Sequence, residues 1–151
     1  MDDLTADQKF LRRTFNLARM ARNCGKGPFA ALLVRNGTVV FEAESTAIEE
    51  GGDLTCHAEM NLLRQASGYF NKGDLLNCTM YCSTEPCAMC AGAACWCAVG
   101  RIVYGLPREL YAQKFGGLSM SCREVFERAP DYGVEVVGPL LLDEALAVHQ
   151  R

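Results

Sequence analysis

His57-Ala58-Glu59 and, farther along the chain, Pro86-Cys87-Ala88-Met89-Cys90 are the two stretches on which the reading of this sequence turns. Together they supply one imidazole, two thiols and a carboxylate. Zinc binds imidazole nitrogen and thiolate sulfur readily, and a catalytic zinc site keeps three protein ligands with a fourth position open to water. His57, Cys87 and Cys90 make such a set. A helix running from Cys87 to about Cys97 puts Cys87 and Cys90 on one face at its first turn. There the unpaired N–H groups and the positive end of the helix dipole favour thiolate over thiol. Pro86 fits just before that start, where its missing N–H costs little. Glu59, two residues past His57, points about 200° round a helix from it, which makes it a poor fourth ligand. It is better placed to reach a metal-held water, whose pKa zinc lowers towards about 7, and to move protons on to a leaving group.

Two other uses of the same residues compete. A structural zinc site would close its shell with a fourth thiol, for which Cys56, Cys82, Cys95 and Cys97 are at hand. A redox-active Cys-x-x-Cys would leave His57 and Glu59 idle.

At 151 residues the chain is expected to form one domain, 1–151, large enough for a real core. Half of its residues are hydrophobic and 22% are charged, the balance of an ordinary globular protein. There is no long uncharged apolar run, and the acidic start Met1-Asp2-Asp3-Leu4 lacks an apolar signal core, so the expected location is cytoplasmic. Nine cysteines without a signal point to a reducing compartment and to metal binding by some of them. The rest, Cys24, Cys56, Cys78, Cys82, Cys95, Cys97 and Cys122, read as small buried hydrophobes, with Cys56 and Cys82 nearest the metal. A net charge of −3 and a basic-poor C-terminal stretch, Leu140 to Arg151, argue against a nucleic-acid footprint and for a small-molecule substrate. Arg12, Arg13, Arg19, Arg22 and Lys26 read as a solvated helix face more than as an RNA-binding patch.

Thr5-Ala6-Asp7-Gln8 has the form of a capping box, and the apolar spacing from Phe10 to Ala21 predicts a helix to about Asn23. Phe29 to Val34 and Thr38 to Phe41 read as strands joined by Asn36-Gly37, a strong hairpin turn. A loop with Gly51-Gly52 leads to a helix opening near Cys56 or His57. Further strands are expected at Leu75 to Ser83, Arg101 to Tyr104 and Val134 to Val137. Strands alternating with helices after the hairpin imply an α/β fold, a mixed sheet covered by helices on both faces. Both ligand segments open helices just after a loop or strand, where such sheets collect ligands.

From Phe29 to Tyr104 the chain resembles the cytidine deaminase-like superfamily, within it the purine and nucleoside deaminase branch. Asp53-Leu54-Thr55-Cys56-His57-Ala58-Glu59-Met60 is similar to that branch's D-P-T-A-H-A-E segment, with Leu54 for the proline and Cys56 for the alanine. Ser83-Thr84-Glu85-Pro86-Cys87-Ala88-Met89-Cys90-Ala91-Gly92-Ala93 is similar to its second segment. The resemblance implies a three-layer α/β/α sandwich around a mixed five-stranded sheet, one Zn2+ per subunit, Glu59 as the catalytic proton carrier, and a homodimer. Bacterial tRNA adenosine deaminases share the two segments, including Glu85. Guanine deaminases are similar at Gly27-Pro28-Phe29-Ala30-Ala31 and carry an aromatic pair where Cys95-Trp96 stands. Both usually hold the substrate with an asparagine on the second strand, where this chain has Ser45-Thr46.

The function these readings imply is a zinc-dependent hydrolytic deaminase that removes an exocyclic amino group from a free nucleobase or nucleoside of guanine or cytosine type. Deamination of a tRNA wobble adenosine to inosine is the alternative, and a non-catalytic structural zinc module a third. Phe29, Thr46, Ala58, Glu85, Trp96 and Phe115 are the candidate substrate-binding residues, with Phe115 to Cys122 as a Gly-rich flap. His149 reads as a solvated terminal residue.

Overall fold

Apolar side chains at helical spacing wind the start of the chain into α1 (Asp3–Asn23), and Leu11, Phe15, Ala18 and Ala21 form its buried stripe. This computed structural model describes residues 3–47 and 52–150; Gly51 of the Gly51-Gly52 loop lies outside them. α1 begins before Thr5, so Thr5-Ala6-Asp7-Gln8 is helical and not a capping box. Asp7 is instead turned into the protein and buried.

The hairpin follows as β1 (Ala30–Arg35) and β2 (Thr38–Glu44), and Asn36 and Gly37 between them take φ of 52° and 75°, the left-handed pair of a tight hairpin turn. Then come α2 (Ala58–Ser67), the short α3 (Lys72–Leu75), β3 (Cys78–Thr84), α4 (Ala88–Cys97), β4 (Arg101–Leu106), α5 (Arg108–Phe115), α6 (Cys122–Glu127), β5 (Glu135–Val137) and α7 (Leu142–Ala147). β3 starts later than Leu75 because Asn71 and Asp74 build a reciprocal capping box that commits Lys72–Leu75 to a helical turn.

The strands form one five-stranded sheet in the order β2-β1-β3-β4-β5. β1 runs antiparallel to both β2 and β3, whereas β3, β4 and β5 are parallel, so the sheet is mixed. Alternation along the strands sends Ala31, Leu33, Met80, Cys82, Ile102 and Tyr104 to one face, where residues of α2, α4 and α6 pack on them. The other face carries Leu32, Val34, Tyr81 and Val103, covered by α1 and α7. This is the three-layer α/β/α sandwich. Gly105 lets α1 approach closely: a Cβ there would come within 2.7 Å of the Phe15 ring. Among the described residues no helix is long and apolar enough to cross a membrane.

A polar tie crosses the α1 face. The Asp7 carboxylate accepts hydrogen bonds from Arg101 Nη1 and Nη2 at 2.7 and 2.6 Å and from the Tyr81 hydroxyl at 2.7 Å. A bidentate guanidinium pair fixes geometry as well as energy, here locking helix to sheet. Removing one partner of a buried pair strands the other. Asp7→Ala should therefore destabilise the protein by roughly 3 kcal/mol in urea unfolding, with the zinc content of the folded fraction unchanged.

Candidate metal centre and active-site cavity

The two sequence segments meet because each ends a non-helical approach and starts a helix. His57 is the N-cap of α2 at φ −62°, ψ 158°, and Cys87 the N-cap of α4 at φ −67°, ψ 172°. Neither side chain caps its own helix, which leaves both free to point at a common centre. His57 Nδ1 lies 3.5 Å from Cys87 Sγ and 3.7 Å from Cys90 Sγ. An ion about 2.0–2.1 Å from nitrogen and about 2.3 Å from sulfur, at tetrahedral angles, requires an N···S separation of about 3.6 Å. The donors fit zinc as they stand. Hydrogen bonding from the Cys90 thiol is the main force pushing the Cys87 pKa down to about 3, helped by His57, while Cys90 is raised in turn. A dication held by these donors would favour both sulfurs as thiolates.

Among the described residues no fourth His, Cys, Asp or Glu joins this group. Cys56 Sγ sits against Arg64 Nη1 at 3.5 Å, and Cys82 is sealed in the core. Among the described residues the donors therefore form a three-ligand set and not a closed four-ligand site. Of the seven cysteines outside the triad only Cys78, Cys82 and Cys122 are buried, and Cys24 is exposed, so the buried-hydrophobe expectation holds for a minority.

Glu59 stands in the first turn of α2, buried, and lines the same cavity as His57 and Cys87. The 200° separation expected of the pair does not arise, because His57 is extended and outside the helix. Burial lifts the Glu59 carboxyl above the usual carboxylate range, against the hydrogen bond from Cys90 and the charges of Arg108 and His57.

The cavity has a volume of about 420 Å³ and opens at the carboxyl ends of β3 and β4. Of the sequence candidates, Phe29, Ala58 and Phe115 line it, together with Ser45. Thr46 does not: alternation turns it away from Ser45, and its hydroxyl accepts from Asn61 Nδ2 at 3.2 Å in a separate polar groove. Trp96 is 79% exposed and away from the cavity. Glu85 is buried beneath it, accepting the backbone N–H of Arg108 at 2.8 Å and of Cys122 at 2.7 Å. It anchors the starts of α5 and α6 instead of lining the wall. The segment expected as a flap is helical at both ends, and the irregular part is 116–121; Gly116, Gly117 and Leu118 of it face the cavity.

Sequence reasoning missed Thr84, Arg108 and Tyr111, all cavity-lining, and misplaced His149. His149 packs among Phe29, Tyr111 and Phe115 with ring centroids 5.3–5.6 Å apart. Burial, then the charges of Arg22 and Arg108, push its pKa down to about 4. A residue just past the carboxyl end of a parallel strand was a signal for Arg108; nothing local marked His149. The basic helix face is mostly paired: Arg12 with Glu144, Arg13 with Glu42, Lys26 with Glu44, and Arg22 on the carbonyls of Val148 and Gln150.

Residues 4–106 match the profile of the cytidine and deoxycytidylate deaminase zinc-binding region. A probable cytosine deaminase of Schizosaccharomyces pombe is 37% identical over 153 aligned positions, covering 95% of this chain and 90% of the relative. The guanine deaminase structure from Bacillus subtilis superposes with a TM-score of 0.67 at 30% identity, over 79% of this chain and 73% of that one. A solved structure from work on tRNA:A34 deaminases gives a TM-score of 0.73 at 26% identity, over 93% of this chain and 99% of that one.

Elemental analysis of the purified protein should find one zinc per chain, with Cys87→Ala and Cys90→Ala each reducing it to a small fraction. His149 gives a pH signature. Its pKa is about 4 when folded and about 6.5 when unfolded. Between those values the unfolded chain takes up a proton that the folded one refuses, so stability falls as pH drops from about 6.5 to about 4. Melting curves across that range should flatten in His149→Phe.

Proposed function

This chain belongs to the cytidine and deoxycytidylate deaminase zinc-binding family, and on that premise we propose that it hydrolyses the exocyclic amino group of a free nucleobase or nucleoside of guanine or cytosine type, releasing ammonia. The observation that carries the reading is a buried carboxylate, Glu59, beside an open three-donor centre in one cavity. His57, Cys87 and Cys90 would hold the zinc, which would supply Lewis-acid activation of a water molecule. Glu59 takes a proton from that water, hands it to the ring nitrogen next to the amino-bearing carbon, and later protonates the departing amine. Water adds and ammonia leaves, so one C–O bond replaces one C–N bond with no change of oxidation state. Phe29, Tyr111 and Phe115 offer apolar ring faces against which a flat heterocycle can be held, and Gly116 to Leu118 close over it.

A small substrate is favoured over tRNA by electrostatics. Deaminating a wobble adenosine needs phosphate contacts. Arg12, Arg13, Arg22 and Lys26 are instead engaged with Glu144, Glu42, C-terminal carbonyls and Glu44, and the chain carries a net charge of −3. The reading includes a cytoplasmic homodimer of single-domain subunits, for which exposed Trp96 offers apolar surface of the kind an interface buries.

Glu59→Ala should keep its zinc and its melting temperature while ammonia release falls by about 10³-fold. Release should be screened over guanine, cytosine, adenine and their nucleosides, beside a tRNA control. Near-normal turnover by the variant would refute the role of Glu59. Inosine in tRNA, with every free ring untouched, would move the chain to the other branch.

A further inference from the structure

Arg108 opens α5 at the end of β4, is nine-tenths buried, and is among the residues that line the cavity. Its Nε and Nη2 both donate to the backbone carbonyl of Glu85, at 3.3 and 2.9 Å, and its guanidinium lies 5.0 Å from the centre of the Tyr111 ring. These contacts fix the group. They leave Nη1 with no hydrogen-bond partner among the described residues, yet not sealed from contact as Arg19 Nη1 is. No carboxylate makes an ion pair with Arg108 there either. Glu85 spends both oxygens on backbone N–H groups, and Glu59 feels the charge of Arg108 without bonding to it.

A second group in the same wall is also unsatisfied. Thr84, one residue before the carbonyl that holds Arg108, is 2% exposed and its hydroxyl has no partner. Thr84 lines the cavity with its hydroxyl enclosed, and a turn about χ1 would re-aim that hydroxyl. Ser45, by contrast, already accepts from the Ala47 N–H at 3.4 Å. Unpartnered buried donors are costly, and a cationic one asks for an oxygen acceptor.

We propose that Arg108, supported by Thr84, recognises an oxo group on the ring being deaminated, and so confines the enzyme to amino-oxo heterocycles. This rests on the deaminase reading above and narrows its substrate class. A ring carbonyl supplies, in the plane of a flat heterocycle, the oxygen acceptor that Nη1 lacks. Attack at the amino-bearing carbon pushes electron density into the ring and onto a conjugated oxygen. A fixed guanidinium at that oxygen therefore binds more tightly as the reaction proceeds. A ring without the oxygen leaves the Nη1 donors unmet, and sites built to hydrogen-bond a substrate reject such analogues strongly.

The test uses matched pairs of rings that share the amino group and differ only in the oxygen: cytosine against 4-aminopyrimidine, guanine against 2-aminopurine, isoguanine against adenine. Zinc-loaded wild-type protein should prefer the oxo member of any pair it acts on by about 10²-fold or more in kcat/KM. Arg108→Gln should collapse that ratio, with the oxo ring losing about 10²-fold and the amino-only ring far less; Arg108→Lys should fall between. Thr84→Val removes a hydroxyl that bonds to nothing, so it should fold and melt normally while the ratio falls several-fold. That variant keeps the test informative if Arg108→Gln folds poorly. Equal turnover of both members by wild type, or equal losses on both in the variants, would overturn the proposal. Ammonia from none of the six rings nor from their nucleosides would instead defeat the deaminase reading on which it stands.

Discussion

Two helices aim their N-termini at one point, and most of the structure serves to keep them there. α2 and α4 share a core with buried Ala58, Ala91 and Ala94, side chains small enough to let the helix starts converge. Each N-cap position is given to a metal donor, where Ser, Thr, Asp or Asn would have stabilised the helix by about 1 kcal/mol. That stability is forgone at His57 and Cys87 in return for two side chains free to turn to the centre. The converging dipoles favour the anionic sulfur that the metal needs. The sheet supplies the rigidity: β3 delivers Pro86-Cys87 from its carboxyl end and pairs with both β1 and β4.

The polar interactions divide between those that hold layers together and those left available. Asp7 ties α1 to the sheet through Tyr81 and Arg101, at the opposite strand ends from the cavity. Around the cavity the pattern is different. Glu85 is fully used, while Arg108 and Thr84 retain bonding capacity that the protein does not fill. Native proteins pair nearly all buried polar groups, so where they do not the exception calls for a physical reason.

The features legible in the sequence are those with a local cause. The Asn36-Gly37 turn had to adopt positive φ, and the metal donors sat in a spacing that few other chemistries use. Asp7 deceived because a helix-start pattern coincided with a tertiary ion pair, and a contact to Arg101 leaves no trace near Thr5. Glu85 deceived in the opposite way, since its place next to Pro86 suggested the cavity while its carboxylate reaches two backbone amides on later helices. Thr46 fell on the wrong side by one residue, enough on an extended segment to reverse the direction of a side chain. His149 carries no local sign of burial because its partners, Phe29 before β1 and Tyr111 and Phe115 on α5, lie far from it in sequence.

The hold of Glu85 on both Arg108 and Cys122 fixes the two ends of the span formed by α5 and the loop 116–121. Gly116 and Gly117, at φ of 83° and 92°, sit inside it. Lengthening such a loop adds little closure entropy once its ends are pinned. The cover could thus gain or lose residues over evolutionary time, resizing the chamber for a different ring, while the two helix starts beneath it stay in register.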